Sequence, residues 1–238
     1  MKDIKSILTR IENDIEDHHE LDYFWTHSVR YQFILEKILK LNKTGKLLDV
    51  GCYPFHLGKV LRELGWNIWG ISSPHEPINN DPQIKILNID KEKFPFNNNE
   101  FNIVLFTEVI EHILDPEFSL KEIFRILEKN GTLIITTPNK ISPLITIRRI
   151  FLSGKSNKEK SSIYHYHNKE FTMEGLKKTV KNIGFKIKTA ECFVSYTPFR
   201  KQKTPDNLFT KIVKNLNYLL MKTFPCLKDT IYLEAIKI

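Results

Sequence analysis

The stretch Lys46-Leu47-Leu48-Asp49-Val50-Gly51-Cys52 constrains the fold of this chain more than any other. Apolar residues around Asp49 stop at Gly51, and a helix-period pattern begins at Leu57, so the segment reads as a buried strand, a tight turn and a helix. A parallel α/β sheet begins in this way. In such a sheet a ligand lies over the carboxyl end of the first strand, where a glycine lets backbone N–H groups approach it closely.

The remaining periodicity extends that reading. Two helices precede the first strand, marked by Ile4, Ile7, Leu8, Ile11 and Ile15 and then by Phe24, Trp25, Arg30, Tyr31, Ile34, Leu35, Ile38 and Leu39, with a polar hinge expected over residues 17–23. His18 and His19 stand in that hinge beside acids, but adjacent side chains point apart on a helix, so they are not read as metal ligands. Leu57, Val60, Leu61 and Leu64 form a helix closed by Gly65, and residues 66–71 a second strand. A third strand is expected over 84–90, a fourth over 101–106 and a helix over 118–127. A turn at Asn130-Gly131 precedes a fifth strand over 132–136, and a sixth is expected at 185–189. A helix over 209–221 and a last strand over 231–238 complete the chain. Strands alternating with helices of this length specify βαβ units.

Composition narrows the setting. A chain of 238 residues that is 41% hydrophobic buries a full core. It carries no apolar run near 18 residues and no charged-then-apolar leader, and three widely spaced cysteines suit a reducing compartment, so a cytoplasmic protein without a transmembrane segment is expected. The formal charge of +8 sits in the last hundred residues, where lysines are scattered along helices rather than gathered in a groove. The basic stretch Arg200-Lys201-Gln202-Lys203 reads as an exposed connector. Nucleic acid is therefore not the expected partner.

Four motifs in order carry a family resemblance: residues 48–52, then Phe101-Asn102-Ile103-Val104, then Glu108-Val109-Ile110-Glu111-His112-Ile113-Leu114-Asp115-Pro116, then residues 126–139. Together they resemble the class I S-adenosylmethionine-dependent methyltransferases, of the type that includes ubiquinone-pathway O-methyltransferases. The resemblance implies a Rossmann-like, doubly wound seven-stranded sheet. An N-terminal helical cap over 1–45, a methyltransferase domain over 46–238 and a lid inserted at about 140–170 complete the expected organisation. It also implies S-adenosylmethionine as cofactor. Asp49, Gly51, Cys52 and Tyr53 match the first cofactor turn, Ser72 and Glu76 the ribose position, Ile89 and Asp90 the adenine position, and Phe106 and Thr107 the border of the methyl donor.

Two departures bear on binding. The turn is Gly51-Cys52-Tyr53-Pro54-Phe55 where the family has three alternating glycines, so Tyr53, Phe55 or His56 is expected to pack beside the cofactor. The second strand ends in Ser72-Ser73 where a carboxylate is usual, so either Glu76 reaches back or the serines bind more weakly.

The chemistry implied is methyl transfer, in which the protein aligns an acceptor and removes its proton. His112, Glu108 and Glu111 are the catalytic candidates. On a helix they share one face, and with His167 they form the alternative ligand set for a divalent metal, as in enzymes that methylate the 2′-hydroxyl of RNA ribose. A metal is not expected. The function expected is O-methylation of a small molecule or of a glycan or lipid intermediate. RNA ribose methylation and a non-catalytic binding role are the alternatives.

Overall fold

The computed structural model describes residues 4–41, 45–76, 81–143, 168–195 and 223–238. Most of the lid expected at about 140–170, His167, the basic stretch at 200–203 and the helix expected over 209–221 lie outside the described residues.

Seven strands form one sheet: β1 (Lys46–Val50), β2 (Asn67–Ser72), β3 (Ile84–Ile86), β4 (Phe101–Thr107), β5 (Leu127–Pro138), β6 (Phe185–Phe193) and β7 (Thr230–Lys237). Their order is β3-β2-β1-β4-β5-β7-β6, with β7 antiparallel to both its neighbours. The chain leaves β1 towards one edge and returns at β4 on the other side. A crevice therefore opens between the carboxyl ends of β1 and β4, where open α/β sheets take their ligands.

Helices cover both faces. Helices α1 (Ile4–Asn13), α2 (His18–Lys40) and α3 (His56–Glu63) lie on one face, where Ile7, Ile34, Leu35, Ile38, Val60 and Leu61 pack with Leu47, Ile103 and Leu105. Helices α4 (Pro116–Ile126) and α5 (Met173–Ile183) pack on the other with Leu48, Val104 and Phe106. Alternation along β4 sends Ile103 and Leu105 one way and Val104 and Phe106 the other, as a two-residue period requires. Each such side chain contributes about 1.5–3 kcal/mol by leaving water.

Local signals explain most boundaries. Asp17 caps α2 by accepting the Glu20 N–H at 2.8 Å, so the helix starts at His18 and the expected hinge over 17–23 is instead its first turn. Asp115 caps α4 with Pro116 behind it, and Thr172 caps α5. The third strand is shorter than expected because the Asn88 side chain folds back to the Asp90 N–H at 3.0 Å and Glu92 takes the Asn88 N–H at 2.6 Å. The sixth strand runs on to Phe193 because β7 pairs with it along its whole length.

Candidate active site

The site forms where α2 leans over the carboxyl ends of β1, β2 and β4. At the end of β1, Asp49 is buried, and desolvation lifts its carboxyl to about 7 against the opposing pull of Arg30. Gly51 follows with φ of 79°, and its N–H and that of Cys52 both donate to the Ile71 carbonyl at 2.8 and 2.9 Å. A Cβ on Gly51 would lie 2.3 Å from Val109, so this position accepts glycine alone without rearrangement. The turn therefore keeps the one glycine that faces the residues after β4.

The replaced glycines settle differently from expectation. Phe55 adopts φ of 65°, a left-handed backbone, and its ring turns inward to fill the space over Gly58 and beside Gly70. His56 is also internal, set edge-on to Phe24 and Tyr31 of α2. Neither side chain stands on the open side of the turn as anticipated, because both find apolar partners beneath it. Cys52 is buried too, its sulfur close to Gly70, and burial pushes its thiol up. Tyr53, in a cis peptide bond with Pro54, is half-buried.

At the tip of β2, Glu76 does reach back. Its Oε2 accepts from the Ser72 hydroxyl at 2.7 Å and the Ser73 N–H at 3.2 Å, which holds a carboxylate at the tip of β2. Beyond β3, Asp90 Oδ1 accepts the N–H groups of Leu114 and Asp115 at 2.8 and 3.0 Å, and Ser119 donates to the Ile89 carbonyl. Asp90 thus ties the segment after β3 to the loop after β4. Phe106 lies in the core below that loop, so only its backbone borders the crevice, whereas Thr107 is half-buried at the rim.

Residues 108–115 form turns, so Glu108, Glu111 and His112 do not share the helical face that the alternative metal set supposes. Glu108 has φ of 58°, and its N–H is bound to the Thr136 carbonyl at 2.8 Å. Its Oε2 lies 3.3 Å from Nη1 of Arg30. Glu111 is buried and accepts from the Thr137 hydroxyl at 2.9 Å, while burial and then the Glu108 charge hold its carboxyl well above the usual range. His112 stands at the surface edge, its side chain 38% exposed, with Nε2 3.9 Å from Glu111 Oε1. The two carboxylates are already engaged by Arg30 and Thr137. Among the described residues no group of three His, Cys, Asp or Glu side chains is arranged to hold a metal ion.

Arg30, Tyr23 and Thr137 belong to this site and were not identified as site residues from the sequence. Tyr23 is half-buried and hydrogen-bonded to Arg30. The only local signal is an arginine inside the apolar stripe Phe24, Tyr31, Ile34 and Leu35.

The residues fit S-adenosylmethionine. Nε of Arg30, Oε1 of Glu108 and Oε1 of Glu111 are buried without hydrogen-bond partners around the crevice, and a polar ligand is what such atoms require. Gly51 leaves room for a close approach of its backbone, and Glu76 presents a carboxylate at the tip of β2.

The sequence pattern of the methyltransferase-domain family matches residues 18–190. The chain belongs to the class I S-adenosylmethionine-dependent methyltransferases. The ubiquinone biosynthesis O-methyltransferase of Pelagibacter ubique is 29% identical over 132 residues, covering 47% of this chain and 53% of that one. The mitochondrial ubiquinone biosynthesis O-methyltransferase of Bos taurus is 30% identical over 135 residues, or 48% of this chain and 36% of that one. The alignment thus takes in about half, or a third, of the length of these relatives. A methyltransferase from Archaeoglobus fulgidus shares the fold with a TM-score of 0.61 at 16% identity, over 93% of this chain and 100% of that one. Among the described residues no helix is long and apolar enough to cross a membrane.

Proposed function

We propose that this methyltransferase methylates a hydroxyl oxygen on a small molecule or on a glycan or lipid biosynthetic intermediate, with His112 as the general base. The observation that carries the reading is the accessible His112 imidazole at the carboxyl end of β4, 3.9 Å from the buried Glu111 carboxyl that Thr137 holds in place. An imidazole backed by a carboxyl group takes a proton from a hydroxyl near neutral pH. The ubiquinone O-methyltransferases among the relatives favour oxygen as the atom methylated.

Bound S-adenosylmethionine supplies an activated methyl group on a sulfonium centre. In this reading the Gly51 turn meets its amino-acid end, Ser72 and Glu76 hold the ribose, and Ile89 and Asp90 border the adenine. His112 then faces the acceptor, with Glu111 behind it and Glu108 held by Arg30. The engagement of Glu108 by Arg30 weighs against the metal-dependent RNA alternative, since that carboxylate is spent on a guanidinium. The left-handed backbone that Phe55 accepts weighs against a non-binding role, since the turn keeps its course without the third glycine.

The test is calorimetric titration with S-adenosylmethionine, with and without Mg²⁺, followed by a turnover screen with catechol and other hydroxyl probes. Micromolar affinity, about −8 kcal/mol, is expected. His112→Ala should abolish turnover and spare cofactor binding. Unchanged turnover would remove His112 from the mechanism, and absence of any binding heat would sink the enzymatic reading.

A further inference from the structure

We propose that Arg30, carried by α2, is a positioning residue for the catalytic turn: through its ion pair with Glu108 it fixes the 108–112 backbone that presents His112. The inference rests on the role given to His112 above and adds to it a mechanical link between the helix that covers the site and the turn that does the chemistry.

Arg30 is 5% exposed within a stripe whose neighbours are Phe24, Tyr31 and Ile34. A guanidinium buried in such company requires a specific partner, and the structure provides Glu108 at 3.3 Å with Tyr23 hydrogen-bonded alongside. Glu108 opens the turn in a left-handed conformation that a residue with a Cβ holds only when its surroundings over-determine it. Two contacts do so. The backbone is fixed to β5 through Thr136, and the side chain is fixed to α2 through Arg30. From there the turn closes with the His112 N–H on the Val109 carbonyl at 2.9 Å, while the Lys169 N–H holds the Glu111 carbonyl at 3.1 Å.

Without Arg30, Glu108 would be a half-buried carboxylate with no cation, set beside Glu111. The relief open to it is to swing towards water, and because its backbone heads the turn, that swing carries residues 109–112 with it. His112 would then leave its place against Glu111. The lysine variant retains charge but has no fork to hold both Tyr23 and Glu108, so it should fall between the two states.

The experiment uses the full chain with ring-labelled histidine. The His112 signals are assigned by their loss in His112→Gln, and amide hydrogen exchange is followed at residues 109–112. Arg30→Met should shift the His112 ring signals and speed exchange of those amides at least tenfold. Glu108→Gln should reproduce this, and the double variant should add less than twofold, since both changes break one link. Turnover on the hydroxyl probe should fall at least tenfold at saturating cofactor. Unmoved His112 signals and unchanged exchange in folded Arg30→Met would overturn the proposal, whatever happens to cofactor affinity. If Arg30→Met does not fold, Glu108→Gln and Arg30→Lys decide on the same two readouts. Neither readout needs a substrate, so failure of the hydroxyl screen is distinguishable from failure of this inference.

Discussion

His56 gives the protein an acid-sensitive stability that one substitution should remove. Its ring is 1% exposed, lies edge-on to Phe24 and Tyr31, and has neither nitrogen hydrogen-bonded. Burial and then the Lys59 charge lower its pKa from 6.5 to about 4. The folded state therefore holds a neutral imidazole over a range where the unfolded chain binds a proton. The sign follows directly. The group costs nothing above pH 6.5, and stability falls as the pH drops from there towards 4. With those two values, going from pH 7.5 to 4.5 removes about 2.5 kcal/mol of folding free energy. His56→Phe keeps the ring contacts and lacks the proton site. Urea unfolding of both proteins at the two pH values isolates the His56 contribution, because other acid-sensitive groups cancel in the difference. The variant should lose about 2.5 kcal/mol less than the parent on acidification. Equal losses, within about 0.5 kcal/mol, would refute the argument that burial keeps this histidine neutral.

Asp49 carries the opposite slope. Its carboxyl is raised to about 7, so the folded state keeps a proton that the unfolded chain releases above about 4, and its stability contribution is lost as pH rises from 4 to 7. Relative to the parent, Asp49→Asn should gain up to about 4 kcal/mol across that range, as read by urea unfolding, and a flat difference would contradict the assignment. Gly51→Ala forces a Cβ to within 2.3 Å of Val109 at positive φ, so it should abolish calorimetric binding of S-adenosylmethionine while circular dichroism still reports a folded chain. Phe55→Ala empties the space over Gly58 and should cost about 3–5 kcal/mol in urea unfolding, since the ring is a core element and not a pocket wall.

The sheet was legible in the sequence because its signals are local. Apolar runs of strand length at 47–50, 101–106 and 132–136, punctuated by Gly51, Gly65 and Pro138, specify strands and turns whatever surrounds them. The order of motifs along the chain then fixes the family, and with it the edge of the sheet at which the site must lie. Side-chain direction was not legible. The spacing of Glu108, Glu111 and His112 fits a helix face, yet the bonds from Thr136, Thr137 and Lys169 hold those residues in turns, and these partners come from β5 and beyond. Tyr53 and Phe55 both replace glycines, but only the packing of Gly58 and Gly70 decides that Phe55 turns inward. Arg30 lies 78 residues before Glu108, and no local pattern joins them. Sequence alone determined the elements and the fold, since propensity and periodicity act within a few residues. The tertiary structure decided which charges meet, because desolvation makes a buried ion seek a partner wherever the chain brings one near.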